Sequence, residues 1–168
     1  ALATGDPSEL VLLFGVCGAY PPEHLDGDPG LSVGSLCLVG EDVLVDEGVR
    51  CPDGFHSVGA LGWASAGPFA MDEPWTGDAL EVLGDLPVVA ANTVSTRSAT
   101  DPLSEEFARR SGALVESMEG AAVASVCASH DVPLVQLRCV SHSTGAGSGG
   151  GSVDPAALSG PYTRALER

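Results

Sequence analysis

Lysine and isoleucine are absent from this 168-residue chain, and asparagine occurs once, as Asn92. The seven basic residues are all arginine and face 23 acidic ones, for a formal net charge of −16. That balance argues against nucleic acid and anionic membranes as partners, because both would repel the chain. We read the missing residue types as compositional bias rather than as a functional acidic surface. Long hydrophobic runs are lacking too: nothing approaches the ~20 apolar residues of a membrane span, and no Arg-led signal peptide opens the chain. The five cysteines (17, 37, 51, 127, 139) make no CxxC pair and no zinc-like spacing, and none of the four histidines is spaced from another as metal ligands are. Several cysteines stand in apolar strands, which reads as reduced, buried thiols of a cytoplasmic protein, and no metal site is expected.

What is present is a chain with 44% hydrophobic residues, enough for one domain with a real core despite 22 Gly and 12 Pro. Residues 1–9 are a polar lead. Leu10–Val16 is a continuous apolar run, as in a strand buried on both faces, ended by Gly15, Gly18 and Pro21-Pro22. Ser35–Val45 is a second strand region with a possible bend at Gly40, and Asp46–Gly54 reads as loop around a short extended piece. Residues 55–78 show no clean period. Ala79–Gly84 reads as a short helix or turn, Pro87–Ala91 as a strand, and Asp101–Ser111 as a helix with acidic residues in its first turn. A short strand ends near Val115, Glu119–His130 is a helix, and Leu134–Val140 is a strand. Residues 145–152, GAGSGGGS, read as a flexible link; they lack the Lys and the spacing of a phosphate loop. Pro155–Arg168 reads as a terminal helix. Strands alternating with helices predict an α/β layered sheet with polar clusters at strand C-terminal ends, where such sheets place ligands.

The chemistry concentrates in Leu114–Gly145. Met118–Ala122, MEGAA, puts Glu119 at a helix start, where the small residues allow close approach and negative charge is tolerated. A carboxylate there can accept two hydroxyls, such as a ribose diol, or can simply favour the helix terminus. Arg138, inside the apolar VQLRCV, needs a carboxylate, phosphate or water; Glu119 is one candidate. Ser141 and His142 follow at the strand end. A buried acid, a buried base and two polar tips suggest a small-molecule site. Glu41, Asp42, Asp46 and Glu47 read as a solvated face.

These segments resemble the purine nucleoside phosphorylase and nucleosidase superfamily over roughly residues 9–144, and within it the futalosine hydrolases. MEGAA matches the family's ribose motif. GVCGAYPP (Gly15–Pro22) resembles its glycine turn, with Val16 where methylthioadenosine nucleosidases carry Ser. Val39–Phe55 resembles the futalosine-hydrolase pattern ending in Asp-Gly-Phe, and Asn92-Thr93-Val94-Ser95 resembles the stretch flanking the base. Ser141-His142 stands where adenosine-type nucleosidases carry Ser-Asp and futalosine hydrolases Ser-Asn. An imidazole could donate to a 6-oxopurine, or protonate the leaving base.

The resemblance implies an α/β, three-layer nucleoside-phosphorylase-like fold with a central mixed sheet flanked by helices, in a single domain over 1–168. It implies hydrolysis of the N-glycosidic bond of futalosine with release of hypoxanthine, in menaquinone synthesis. Glu119, Arg138 and His142 would be catalytic, and Val16, Cys17, Gly18, Asn92, Thr93, Met118 and Ser141 would bind substrate. No cofactor is implied; the partners would be a nucleoside and further copies of the chain, as a dimer or larger. The family's domain also starts with a strand–helix–strand–helix segment ahead of the GVCGAY strand. Its absence here is expected to mean a fragment, a segment supplied by another chain, or an inactive paralogue. A nucleoside-binding protein without turnover and a phosphorylase are the competing functions.

Overall fold

Short apolar runs separated by helix-forming segments give the strands and helices of the computed structural model, which describes residues 10–146. The strands are β1 (Val11–Ala19), β2 (Leu36–Leu44), β3 (Gly48–Cys51), β4 (Gly54–Ser57), β5 (Phe69–Ala70), β6 (Val88–Thr93), β7 (Val115–Ser117) and β8 (Leu134–Ser143). The helices are α1 (Glu73–Leu83), α2 (Asp101–Ser111) and α3 (Gly120–Ser129). The main sheet runs β5-β2-β6-β7-β1-β8, and β2 also pairs with β8, so the sheet curls until β8 meets β2, with β5 left at the rim. Pairs β1–β8, β2–β6 and β6–β7 are parallel; β1–β7, β2–β5 and β2–β8 are antiparallel. This is the expected central mixed sheet with helices against it.

β8 is buried from Leu134 to Val140 because both of its edges are paired and helices pack nearby. The α1 stripe Ala79, Leu80 and Leu83 covers Leu38, Val135 and Leu137. α3 packs Ala124 and Cys127 on Leu134 and Met71, and α2 buries Phe107 and Ala108 beside Tyr20 and Val94. Gly120 opens α3 where a Cβ would lie 2.0 Å from Asp42 Oδ2, so only glycine lets the helix start this close to β2.

Several expectations need correction. β1 does not end at Gly15 or Gly18: its pairing with β8 continues to Ala19. Nor is it buried on both faces. Along β1, β7 pairs with Gly18 and Ala19 alone, and Leu12 and Phe14 are each 54% exposed because nothing among the described residues covers them. The bend foreseen at Gly40 is a β-bulge: partners step from Val39↔Val89 to Glu41↔Ala90. The extra residue shifts the in–out alternation, and Asp42 turns inward while Glu41 stays exposed. The solvated-face reading therefore fails for Asp42; Asp46 and Glu47 are half-buried and accept hydrogen bonds from the Ser95 backbone N–H and hydroxyl. Asp46–Gly54 holds no simple loop but most of the β3–β4 hairpin. The short helix foreseen at Ala79–Gly84 is the second half of α1, started by Pro74 in its first turn. β6 and β8 run through Thr93 and Ser143, so the polar clusters placed beyond the strands lie partly within them. Residues 147–152 of the link and the helix expected at Pro155–Arg168 lie outside the described residues. No described helix is long and apolar enough to cross a membrane.

Candidate functional site

The site forms where β1, β7, β8 and the start of α3 meet. Arg138 and Gly15 face each other across the β1–β8 ladder. Arg138 has no solvent exposure, and its Nη1 donates to Glu119 Oε1 at 2.5 Å. Its Nη2 donates to Gln136 Oε1 at 3.0 Å, while Nε has no partner. The Glu119 side chain is 46% exposed. The acid is thus half in water rather than fully buried, because it stands at the N-cap position of α3, at the pocket mouth. Its second oxygen accepts from the Met118 N–H at 3.0 Å, which fixes the plane of the carboxylate. A cation that cannot leave and an anion open to solvent make a preorganised acceptor for hydroxyl groups.

The absence of a Cβ at Gly15 is required here. A Cβ would fall 2.2 Å from Arg138 Nη1 and 2.9 Å from Glu119 Oε1. The Gly15–Gly18 stretch is therefore no turn. Its glycines clear space above a strand for two side chains, and the second is His142, whose Nε2 would lie 2.8 Å from a Cβ on Gly18.

His142 is aimed by a second bulge. β1 partners step from Cys17↔Val140 to Gly18↔His142, leaving Ser141 as the extra residue. The Ser141 hydroxyl donates to the Cys17 carbonyl at 3.1 Å and meets His142 Nδ1 at 2.8 Å. With the hydroxyl proton on the Cys17 carbonyl, Nδ1 carries its own proton and donates to Ser141 Oγ. Nε2 is then a bare acceptor, buried and without a partner. Burial, with Arg97 nearby, holds the imidazole below its ordinary pKa of 6.5, so it is neutral at neutral pH. In this tautomer the ring nitrogen facing the pocket is an acceptor, whereas the opposite tautomer makes it the donor expected from the sequence.

The pocket has a volume of about 190 Å³ and brings together Val16, Cys17, Gly18, Met118, Glu119 and His142 from the expected set. That is below the roughly 300 Å³ where small-molecule clefts usually begin. The mouth is open, with Met118 58% exposed. Arg97, Val94, Glu116 and Ser117 also line it and were not foreseen. The polar stretch after β6 was the signal for Arg97; nothing local in VES marked Glu116. Two larger clefts, of about 320 and 490 Å³, lie beside Val45 and Arg110 and beside Met71 and Asp131. Neither gathers the carboxylate, guanidinium and imidazole, so volume is a poor guide here.

Asn92 and Thr93 stand behind the pocket rather than in its wall. Asn92 Nδ2 donates to the Tyr20 hydroxyl and the Phe107 carbonyl. Tyr20 in turn donates to Glu116, whose carboxylate also accepts from the Ser98 N–H and hydroxyl. Thr93 Oγ1 donates to Asp42 Oδ1 at 2.8 Å and accepts from the Ala121 N–H at 2.7 Å. Asp42 also accepts from Gln136 Nε2 at 3.4 Å. A buried polar chain thus runs Asp42–Gln136–Arg138–Glu119 from the core to the pocket. Burial pushes Asp42 up to about 6, partly opposed by its hydrogen bonds from Thr93 and Gln136.

The sequence model of the phosphorylase superfamily matches residues 2–157. The chain belongs to the phosphorylase superfamily. Two futalosine hydrolases are similar to it: that of Streptomyces coelicolor is 35% identical over 143 residues, covering 84% of this chain and 57% of its own length. That of Thermus thermophilus is 36% identical over 148 residues, with 86% and 62% covered. This phosphorylase-superfamily chain therefore spans about three fifths of the curated relatives it matches. The native futalosine hydrolase of Helicobacter pylori superposes with a TM-score of 0.71 at 19% identity, over 95% of this chain and 65% of that one. The methylthioadenosine/S-adenosyl homocysteine nucleosidase of Campylobacter jejuni gives 0.71 at 23%, over 98% and 69%. Both share the fold.

Proposed function

We propose that this chain is a nucleosidase of the futalosine-hydrolase type. It cleaves the N-glycosidic bond of a 6-oxopurine nucleoside, futalosine, and releases hypoxanthine for menaquinone synthesis, in the cytoplasm and as a homo-oligomer. The observation that carries this reading is the pairing across one pocket of the Arg138-held Glu119 carboxylate with the bare His142 Nε2 acceptor. Glu119 takes the two ribose hydroxyls and Met118 lies under the sugar. His142 Nε2 accepts the N1–H of a 6-oxopurine, with Ser141 holding the tautomer. An amino-purine offers a lone pair at N1 and would meet Nε2 acceptor to acceptor. As the bond breaks, positive charge grows on the sugar and negative charge on the base. The fixed Glu119 favours the first; a water oxygen bonds to the anomeric carbon as the glycosidic bond breaks, the water's proton goes to the departing base, and the neutral His142 keeps the base oriented. Phosphorolysis is less well supported: Arg138 is committed to Glu119 and Gln136, and position 16 offers no hydroxyl. The similarity to two futalosine hydrolases supports the same reading.

The test is base release from inosine, 1-methylinosine and adenosine under one condition. Leaving a buried acceptor unmatched costs about 1–3 kcal/mol, so inosine is expected to react roughly 10–100-fold faster than either analogue. Equal rates for inosine and 1-methylinosine would remove His142 from base recognition. Base binding without release would leave a binding protein in place of an enzyme.

A further inference from the structure

The β3–β4 hairpin carries a cluster outside the nucleoside pocket that no part of the reading above uses. Cys51, Asp53 and His56 place one ligand atom each within 4.8 Å of one another, and His56 Nε2 is 3.2 Å from Asp53 Oδ1. In a tetrahedral zinc site, bonds of about 2.0–2.3 Å put ligand atoms roughly 3.3–3.8 Å apart, so small side-chain rotations close this set on one ion. The spacing Cys-x-Asp-x-x-His is not a familiar zinc spacing in sequence. The hairpin creates it: Val49↔His56 and Cys51↔Gly54 are opposed pairs, which puts Cys51 and His56 on the same face as diagonal neighbours.

The scaffold is fixed rather than loose. Pro52 and Asp53 form the tight turn, and Gly54 adopts a φ of +137° that favours glycine. The opposite face of the hairpin is tied to α2, by an Arg50–Glu106 ion pair of 2.6 Å and by the Arg110 guanidinium 3.8 Å above the Phe55 ring. Space for a fourth ligand exists beside Cys51, since a Cβ on Gly54 would meet nothing within 4 Å. The four other cysteines are buried, so Cys51 is the one thiol that meets the surface.

We propose that Cys51, Asp53 and His56 form a zinc-type transition-metal site, with the thiolate, one carboxylate oxygen and the imidazole as ligands and water in the fourth position. The ligand set of one soft sulfur, one nitrogen and one oxygen suits Zn²⁺ and Co²⁺ and disfavours Mg²⁺ or Ca²⁺. Binding ties β3 to β4 and raises the stability of the whole domain, without entering the nucleoside chemistry.

The test is titration of the chelator-stripped full chain with Co²⁺, then displacement by Zn²⁺. A near-ultraviolet thiolate-to-cobalt band that saturates at one equivalent and is lost on adding Zn²⁺ is expected. It is absent in Cys51→Ser, and His56→Ala weakens binding at least about tenfold. Zn²⁺ raises the melting temperature of the parent chain but not of Cys51→Ser, which itself folds because Cys51 is half-buried at a hairpin end. No cobalt–thiolate band, or Zn²⁺ affinity unchanged in both variants, overturns the proposal and leaves only diffuse attraction of cations to an acidic surface.

Discussion

Replacing Gly15 with alanine tests the site's construction most sharply. Gly15 faces Arg138 in the β1–β8 ladder, and the added Cβ would sit 2.2 Å from Nη1 and 3.3 Å from Cζ. Non-bonded atoms of this kind rest at roughly 3.5 Å or more, so the guanidinium must move by about 1 Å. It has nowhere open to go: Arg138 is fully buried and its other terminal nitrogen is bound to Gln136. Overpacking of this sort costs about 1–3 kcal/mol. Full loss of a buried ion pair costs about 3–5 kcal/mol, but Glu119 is half in water and can follow its partner, so only part of that cost applies. A destabilisation of about 2 kcal/mol is expected in urea unfolding, partly offset by about 0.5 kcal/mol from the reduced freedom of the unfolded chain. The functional effect is larger, because a 1 Å misplacement of a positioning carboxylate can cost about a hundredfold in kcat/KM. The refuting result is a Gly15→Ala protein whose base-release rate stays within about threefold of the parent, with stability changed by less than about 0.5 kcal/mol. That would mean the ion pair has room to spare and does not set the geometry.

Other perturbations follow from the same contacts. Gly77 lies exposed inside α1, where a Cβ meets nothing, so Gly77→Ala should raise stability by up to about 1 kcal/mol in urea unfolding and leave activity alone. Asp42 has a folded pKa raised from 3.8 to about 6, so the folded state binds more protons than the unfolded one between those values. Its contribution is fully present below about pH 4 and is lost as pH rises through about 6, and Asp42→Asn should flatten that interval relative to the parent in denaturation midpoints. His142 accepts only when neutral, and its pKa lies below 6.5, so base release should be level at neutral pH and decline on acidification below that value. His142→Leu should lose about tenfold or more in kcat/KM for the oxopurine nucleoside and should abolish this acid limb of the profile.

The periodic parts of the sequence announced their structure, and the corrections arise where one residue breaks a period. The apolar runs at Leu10, Ser35, Pro87 and Leu134 became β1, β2, β6 and β8, and Asp101–Ser111 became α2 with the same bounds. Bulges at Gly40 and Ser141 then reversed the side-chain alternation, which buried Asp42 and turned His142 to the pocket. A one-residue insertion leaves no trace in hydropathy, so neither event was visible beforehand. The resemblance singled out Glu119 and Arg138 together, and the structure shows why Arg138 can stand in an apolar strand. Glu116 escaped notice because its partners, Tyr20 and Ser98, are far away in sequence. The Cys51–Asp53–His56 cluster escaped for a related reason: it exists only once β3 and β4 pair.

The central claim is hydrolysis of a 6-oxopurine nucleoside at the Glu119–His142 pocket. Its most direct test is chromatographic release of hypoxanthine from futalosine by the folded chain, with and without phosphate, beside a Glu119→Gln variant. The account predicts release that needs no phosphate and falls by orders of magnitude in the variant. Release that requires phosphate, or none from a chain shown to be folded, would contradict it.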